Sequence, residues 1–186
     1  MINFDDIRTE LEEYDSFRDQ IITIGRDVIK RSKLVIYALH RNEIENAKAL
    51  VQELETVRAK LISKIKDTPG LAYEGSFKAA TQEYVEAILY YQFVVNGELK
   101  DIPGIRSNQF ILGMCDLPGE LNRRAVYLAG KGKTEEVTKI RDIVEVIYGE
   151  LLTLNARNNE MRRKIDSVKY ELRKLEDLVL SLKLKR

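Results

Sequence analysis

IITIGRDVIKRSKLVIYAL, residues 21–39, sets its apolar side chains in pairs seven residues apart: Ile21 with Ile22, Val28 with Ile29, Val35 with Ile36, and Ile24 and Leu39 between them. A seven-residue recurrence returns to the same side of an α-helix every two turns, so the stretch predicts a helix that buries one stripe. Residues 42–66 repeat the habit through Ile44, Ala47, Leu50, Val51, Leu54, Val57, Leu61, Ile62 and Ile65, which predicts a second long helix after a break near Arg41. DTPGLAYEGS, residues 67–76, carries Asp, Pro and Gly and reads as a turn. A third helix is expected from Phe77 to Val95, and NGELKDIPG, residues 96–104, is the next loop.

Further along, residues 106–128 are helical in pattern but contain Asp116-Leu117-Pro118-Gly119-Glu120. By itself this pentapeptide reads as a turn, because proline disfavours helix at the residue before it and has no N–H for the carbonyl of Met114. AGKGKT, residues 129–134, ends the segment. Two more helices are expected, Glu135 to Leu154 and Asn159 to Leu184, the last with Ile165, Val168, Leu172, Leu175, Leu178, Val179 and Leu182 at helical spacing. No β-alternation of useful length occurs. The expectation is an all-α bundle of six or seven antiparallel helices, forming a single domain over residues 1–186.

Composition agrees with long helices, since only three prolines and ten glycines punctuate 186 residues. The 31 Lys and Arg nearly balance 30 Asp and Glu, giving a net charge of +1, which excludes a uniformly basic nucleic-acid binder. Cys115 is the single cysteine, so no disulfide framework can form within the chain, in keeping with a reducing compartment. The opening residues are acidic and amphipathic rather than basic and then apolar, and no apolar run reaches the ~18 residues of a membrane span. A cytoplasmic protein with no membrane partner is the expectation.

Charge is segregated although its sum is small. Residues 1–20 hold seven acids against Arg8 and Arg18, whereas residues 26–41 hold Arg26, Lys30, Arg31, Lys33 and Arg41 against Asp27 alone. Arg26, Lys30 and Lys33 share one helical face, continued by Tyr37 and Arg41. Such a stripe can hold phosphates by local counterion release; the alternative is a solvated helix face. His40, the lone histidine, closes the same helix and reads as a phosphate contact or a packed residue.

Two pairs of carboxylates stand out. Glu83 and Glu86, in QEYVEAILYYQF, lie at i and i+3 among largely apolar neighbours; Asp116 and Glu120, in MCDLPGEL, lie at i and i+4. Each pair points to one side of its helix. Acids in apolar surroundings are costly to bury without a compensating cation, and an oxygen-only set is what hard ions such as Mg²⁺ or Mn²⁺ take. The alternative for each pair is an exposed acidic patch or a salt bridge to a neighbouring helix. Gly132-Lys133-Thr134 ends like a phosphate loop, but that motif needs a glycine where Tyr127 stands, and no strand precedes it. Cys115, in an apolar run without a partner histidine, reads as a core thiol.

RDVIKRSKLVIYALHR, residues 26–41, resembles the first helix of the factor-X branch of the translin superfamily, and QEYVEA and DLPGELNR are similar to that branch's acidic motifs. Met161-Arg162-Arg163-Lys164-Ile165-Asp166, continuing through Lys169-Tyr170 and Leu172, is similar to the C-terminal motif of translin itself. Four motifs in the right order span about residues 20 to 184. The resemblance implies a translin-like all-α fold, assembled from copies of the chain into a hollow homo-oligomer, an octamer, that encloses RNA. It implies a Mg²⁺-dependent (or Mn²⁺-dependent) endoribonuclease acting on single-stranded RNA or short duplexes, with single-stranded DNA as a further ligand. Glu83, Glu86, Asp116 and Glu120 match the family's catalytic positions and are the implied metal ligands and catalytic residues. Arg26, Lys30, Lys33, His40 and Arg41 are then the expected RNA contacts, with Arg123 and Arg124 steering the scissile phosphate. The rival expectation is a non-catalytic RNA- or single-stranded-DNA-binding shell whose carboxylates pair with Arg or Lys. Pro118 departs from the family pattern, which is helical there, so a helix kinked near Met114 is expected rather than a turn. The long insertions of the eukaryotic factor are absent, which implies a compact archaeal-type homologue.

Overall fold

A computed structural model describes residues 2–157 and 159–184 of the chain. Six α-helices follow one another: α1 Phe4–His40, α2 Ile44–Asp67, α3 Gly75–Asn96, α4 Ser107–Gly130, α5 Thr134–Thr153 and α6 Asn159–Leu184, with a short 3₁₀-helix Pro69–Tyr73 before α3. No strand occurs among the described residues. The chain divides into two compact units, Met1–Ile88 and Leu89–Arg186, the division falling inside α3.

In the first unit, the heptad stripe of α1 is buried at Ile21, Gly25, Val28, Ser32, Val35 and Leu39 and packs against α2, which buries Ala47, Leu54, Val57 and Leu61. Glycine at 25 permits a close crossing: a Cβ there would lie 3.3 Å from the carbonyl oxygen of Ser76 and 3.7 Å from the Cβ of Ala80. The turn between α1 and α2 uses Asn42, at φ 61°. Its N–H donates to Leu39 O at 3.0 Å while the N–H of Glu43 donates to Ala38 O at 3.0 Å, the paired closure of a left-handed C-terminal cap. Asparagine tolerates that conformation, so Asn42 is a local signal for the break near Arg41.

The first helix begins at Phe4, well before the buried stripe that opens at Ile21. Asn3 caps it, its Oδ1 accepting from the Asp5 N–H at 3.1 Å, and Asp5 and Asp6 lie in the first turn where the helix dipole favours them.

In the second unit, α4, α5 and α6 pack on one another. Leu117, Leu121, Ala125 and Leu128 of α4 are buried, as are Val137, Ile140, Val144, Ile147 and Leu151 of α5 and Ile165, Val168, Leu172, Leu175 and Val179 of α6. Helix α4 runs without interruption through Pro118, which is itself buried. The local reading of Asp116–Glu120 as a turn is therefore overridden by burial of Leu117, Pro118 and Leu121 in one apolar face. Helix α4 closes as α1 does: Gly132, at φ 73°, donates to Ala129 O and Lys133 N–H to Leu128 O, both at 3.0 Å. The phosphate-loop look-alike is a helix terminator. No helix among the described residues is long and apolar enough to cross a membrane.

Candidate functional site

The basic stripe is real and outward-facing. Arg26, Lys30, Lys33 and Arg41 are exposed on α1, with Leu34 and Tyr37 exposed among them. The Arg41 guanidinium lies 5.6 Å from the Tyr37 ring centroid and pairs with Glu43, which holds the Arg41 pKa above its usual value. Arg31 is turned away: it bonds Asp27 and Glu53, and those acids raise its pKa. His40 is half-buried and engaged.

Glu83 and Glu86 are half-buried on α3 beside fully buried Tyr84, Val85 and Ala87. Lys33 Nζ lies 3.9 Å from Glu83 Oε1, so the stripe on α1 runs directly beside one of the acids. Glu86 also has interaction partners. On the same helix, the Tyr84 hydroxyl donates to Glu55 Oε1 of α2 at 2.5 Å, and Arg58 stacks 4.4 Å from its ring. Burial first, and then that carboxylate, push the Tyr84 pKa up.

In the second unit, Asp116 and Glu120 are half-buried one turn apart on α4. Lys164, from α6, donates to both Asp116 oxygens, at 2.5 and 2.7 Å, with each side chain about a third exposed. Lys164 belongs to the translin-like C-terminal motif, but nothing in the helical period of α6 marks which of its many bases turns inward. Glu120 and Arg124 are engaged, and Arg124 hydrogen-bonds the buried Tyr90 hydroxyl. Burial pushes the Tyr90 pKa up to about 12, against the downward pull of Arg124. Arg123 is exposed, whereas Arg124 is half-buried, which sets the two expected phosphate-steering arginines apart. Cys115 is buried, and burial with the neighbouring Asp116 charge pushes its thiol up to about 12, as expected for a core thiol.

The donors are of the right kind for a hard divalent ion, carboxylates in pairs one turn apart. Their number in one place is another matter: among the described residues no group of three or more His, Cys, Asp or Glu is placed to hold a metal ion. An ion at Asp116 would have to displace the Lys164 ammonium and draw in further ligands.

The sequence pattern of the Translin family matches residues 16–186. The chain belongs to the Translin family. Among family relatives, it is 23% identical to translin-associated protein X of Rattus norvegicus, covering 100% of this chain and 79% of that one. It is 24% identical to the translin-associated protein X homolog of Schizosaccharomyces pombe, over 92% and 83% of the two chains. It is equally similar to an uncharacterised protein of Methanocaldococcus jannaschii, at 24% over 84% and 72%. The fold is that of NeC3PO in its apo form, with a TM-score of 0.90, 24% identity and 98% of each chain covered. AfC3PO in its complex with duplex RNA superposes with a TM-score of 0.85 at 21% identity, over 100% of this chain and 98% of that one. The expected all-α, translin-like fold is thereby established.

Proposed function

We propose that this Translin-family chain binds RNA along the α1 stripe and cleaves its phosphodiester bonds with the help of Mg²⁺ or Mn²⁺. The observation that carries the reading is the 3.9 Å approach of Lys33 to Glu83, one cation of the proposed RNA-binding stripe beside one acid of the proposed catalytic set. A structure of the neighbour AfC3PO in complex with duplex RNA is known, which supports the class of ligand. Arg26, Lys30, Lys33 and Arg41 hold the RNA backbone, with His40 at the end of the stripe. Contacts of this kind bind phosphate and sugar and give little sequence preference, so single strands, short duplexes and single-stranded DNA are all ligands. Glu83 with Glu86, and Asp116 with Glu120, are the carboxylate pairs that would supply ligands to the ion, although among the described residues no three of them are grouped to hold one; Arg123 would be the cation available to the scissile phosphate. Held by such carboxylates, a divalent ion would supply Lewis-acid chemistry, activating water near neutral pH and setting positive charge against the phosphoryl oxygens. Lys164 neutralises Asp116 and keeps a half-buried carboxylate from standing alone. The chain acts as a homo-oligomer, for which we propose the octamer.

One observation favours a second reading. Because both Asp116 oxygens are taken by Lys164, the acids could serve packing alone, in a shell that binds nucleic acid without turnover. Labelled RNA incubated with Mg²⁺ or with EDTA separates the two, alongside Glu83→Gln and Asp116→Asn proteins whose folding has been verified by circular dichroism. Cleavage that needs the ion and drops at least 100-fold in each variant supports the nuclease. Salt-sensitive binding with no product in either Mg²⁺ or Mn²⁺ leaves the binding shell; cleavage indifferent to EDTA and to both substitutions removes the carboxylate centre.

A further inference from the structure

Tyr37 lies within the cationic face of α1 and is 54% exposed. An exposed tyrosine is ordinary by itself; the surroundings of this one are not. Lys33 stands one turn before it and Arg41 one turn after, each about 6 Å away along the helix axis, and Lys30 two turns before. Leu34, 41% exposed, adjoins it at i−3 and widens its apolar surface. Arg41 meets the ring at its polar end: Nη1 lies 3.5 Å from the hydroxyl oxygen, and the centre of the guanidinium stays 5.6 Å from the ring centroid. That is looser than the 4.4 Å at which Arg58 covers the buried Tyr84 ring. Glu43 ties down the same guanidinium from its other side. Two other exposed tyrosines lack this combination, since Lys131 covers the Tyr127 ring at 4.5 Å and Tyr170 has the exposed Asp166 one turn before it.

We propose that Tyr37 is a stacking platform for an unpaired base of single-stranded RNA whose phosphates run along Lys30, Lys33 and Arg41, so that the ring shifts the preference of the stripe toward single strands. The inference rests on the reading of α1 as the RNA-binding face. Cations alone attract the phosphates of single strand and duplex alike. A base face is different: it is apolar and aromatic, and it lies well on a tyrosine ring when it is unstacked from its neighbours. In a duplex the base faces are spent on the duplex's own stack, and the protein meets phosphates, sugars and groove edges. A strand laid along α1 can set one base on Tyr37 and Leu34 while the phosphates on either side of that nucleotide meet Lys33 and Arg41. Every base has such a face, so the platform discriminates strandedness and not sequence. A protein partner fits less well, because an apolar surface laid on Tyr37 and Leu34 would desolvate the flanking ammonium groups without pairing them.

The test is filter binding of the full chain in EDTA to three ligands: an unstructured RNA single strand, a duplex of the same sequence, and an abasic ribose–phosphate strand of the same length. Circular dichroism verifies that each variant stays helical, and the exposure of Tyr37 leaves the core untouched by its replacement. Tyr37→Ala is expected to weaken single-strand binding about tenfold and to change the duplex and abasic affinities by less than about twofold. Tyr37→Phe, which keeps the ring, is expected to bind all three ligands within about twofold of the unaltered chain. Unchanged single-strand affinity in Tyr37→Ala, an equal loss on the duplex or the abasic strand, or the same loss in Tyr37→Phe would each overturn the platform. So would a Tyr37→Ala protein of lower mass by light scattering and unchanged RNA affinity, which would assign the ring to a contact between chains. Lys30→Glu with Lys33→Glu separates this inference from the reading beneath it. If that protein loses affinity for all three ligands while Tyr37→Ala loses none, the platform fails and the RNA-binding face stands; if it binds all three unchanged, both fail.

Discussion

Lys164 decides how Asp116 behaves. The pair bridges α4 and α6 at 2.5 and 2.7 Å while staying about a third exposed, so its worth lies between a surface pair and a buried one. Lys164→Met, which strands the carboxylate, is expected to cost about 1–2 kcal/mol in urea unfolding, and the double change with Asp116→Leu to recover most of it. Tyr90 offers a pH test. Its folded pKa is raised to about 12 by burial, above the ~10 of an unfolded tyrosine. The neutral hydroxyl is therefore favoured by folding: its contribution is complete below pH ~10 and is lost as pH rises from there through about 12, because the unfolded chain gives up that proton first. The urea midpoint should fall between about pH 9 and 11.5, with a shallower fall in Tyr90→Phe. Cys115, buried and held at about 12, should resist a thiol reagent at about pH 8 in the native chain and react at once in urea.

Among the elements, the helix ends and α4 show where local chemistry and packing agree or conflict. Asn42 at φ 61° and Gly132 at φ 73° end α1 and α4 by the same pair of backbone hydrogen bonds. Asn42→Gly should change stability by no more than a few tenths of a kcal/mol, whereas Gly132→Val should cost about 1–2 kcal/mol, since a β-branched residue resists the left-handed region. Both are measurable by thermal unfolding. In α4 the proline penalty, about 3 kcal/mol in an ordinary helix interior, is offset by burying the ring with Leu117 and Leu121. This is why the period of the apolar residues was a better guide to α4 than its proline.

At the scale of the whole molecule, a small net charge conceals local segregation. A chain at +1 still presents four exposed cations along one face of α1. Under the proposed function, binding of single-stranded RNA should weaken linearly in log[salt], and Lys30→Glu with Lys33→Glu should reduce that slope by about 0.7 per lost phosphate contact while leaving helicity unchanged. Filter binding from about 50 to 300 mM salt measures it, and a slope unmoved by the double change would place the RNA elsewhere.

The helices were legible in the amino-acid sequence because burial of one face imposes a period that composition cannot mimic: the stripes from Ile21 to Leu39 and from Ile165 to Val179 are buried as their spacing predicts. The exposed stripe of Arg26, Lys30, Lys33 and Arg41 followed from the same geometry. The full length of α1 was not legible, since its first residues have no core to declare them and depend on a cap at Asn3 and dipole-favoured acids. Nor were the partners of the acids. Helical period tells which side of a helix a carboxylate takes, but Lys33 beside Glu83 and Lys164 on Asp116 join residues far apart in the chain, and only packing of one helix on another selects which cation among many arrives.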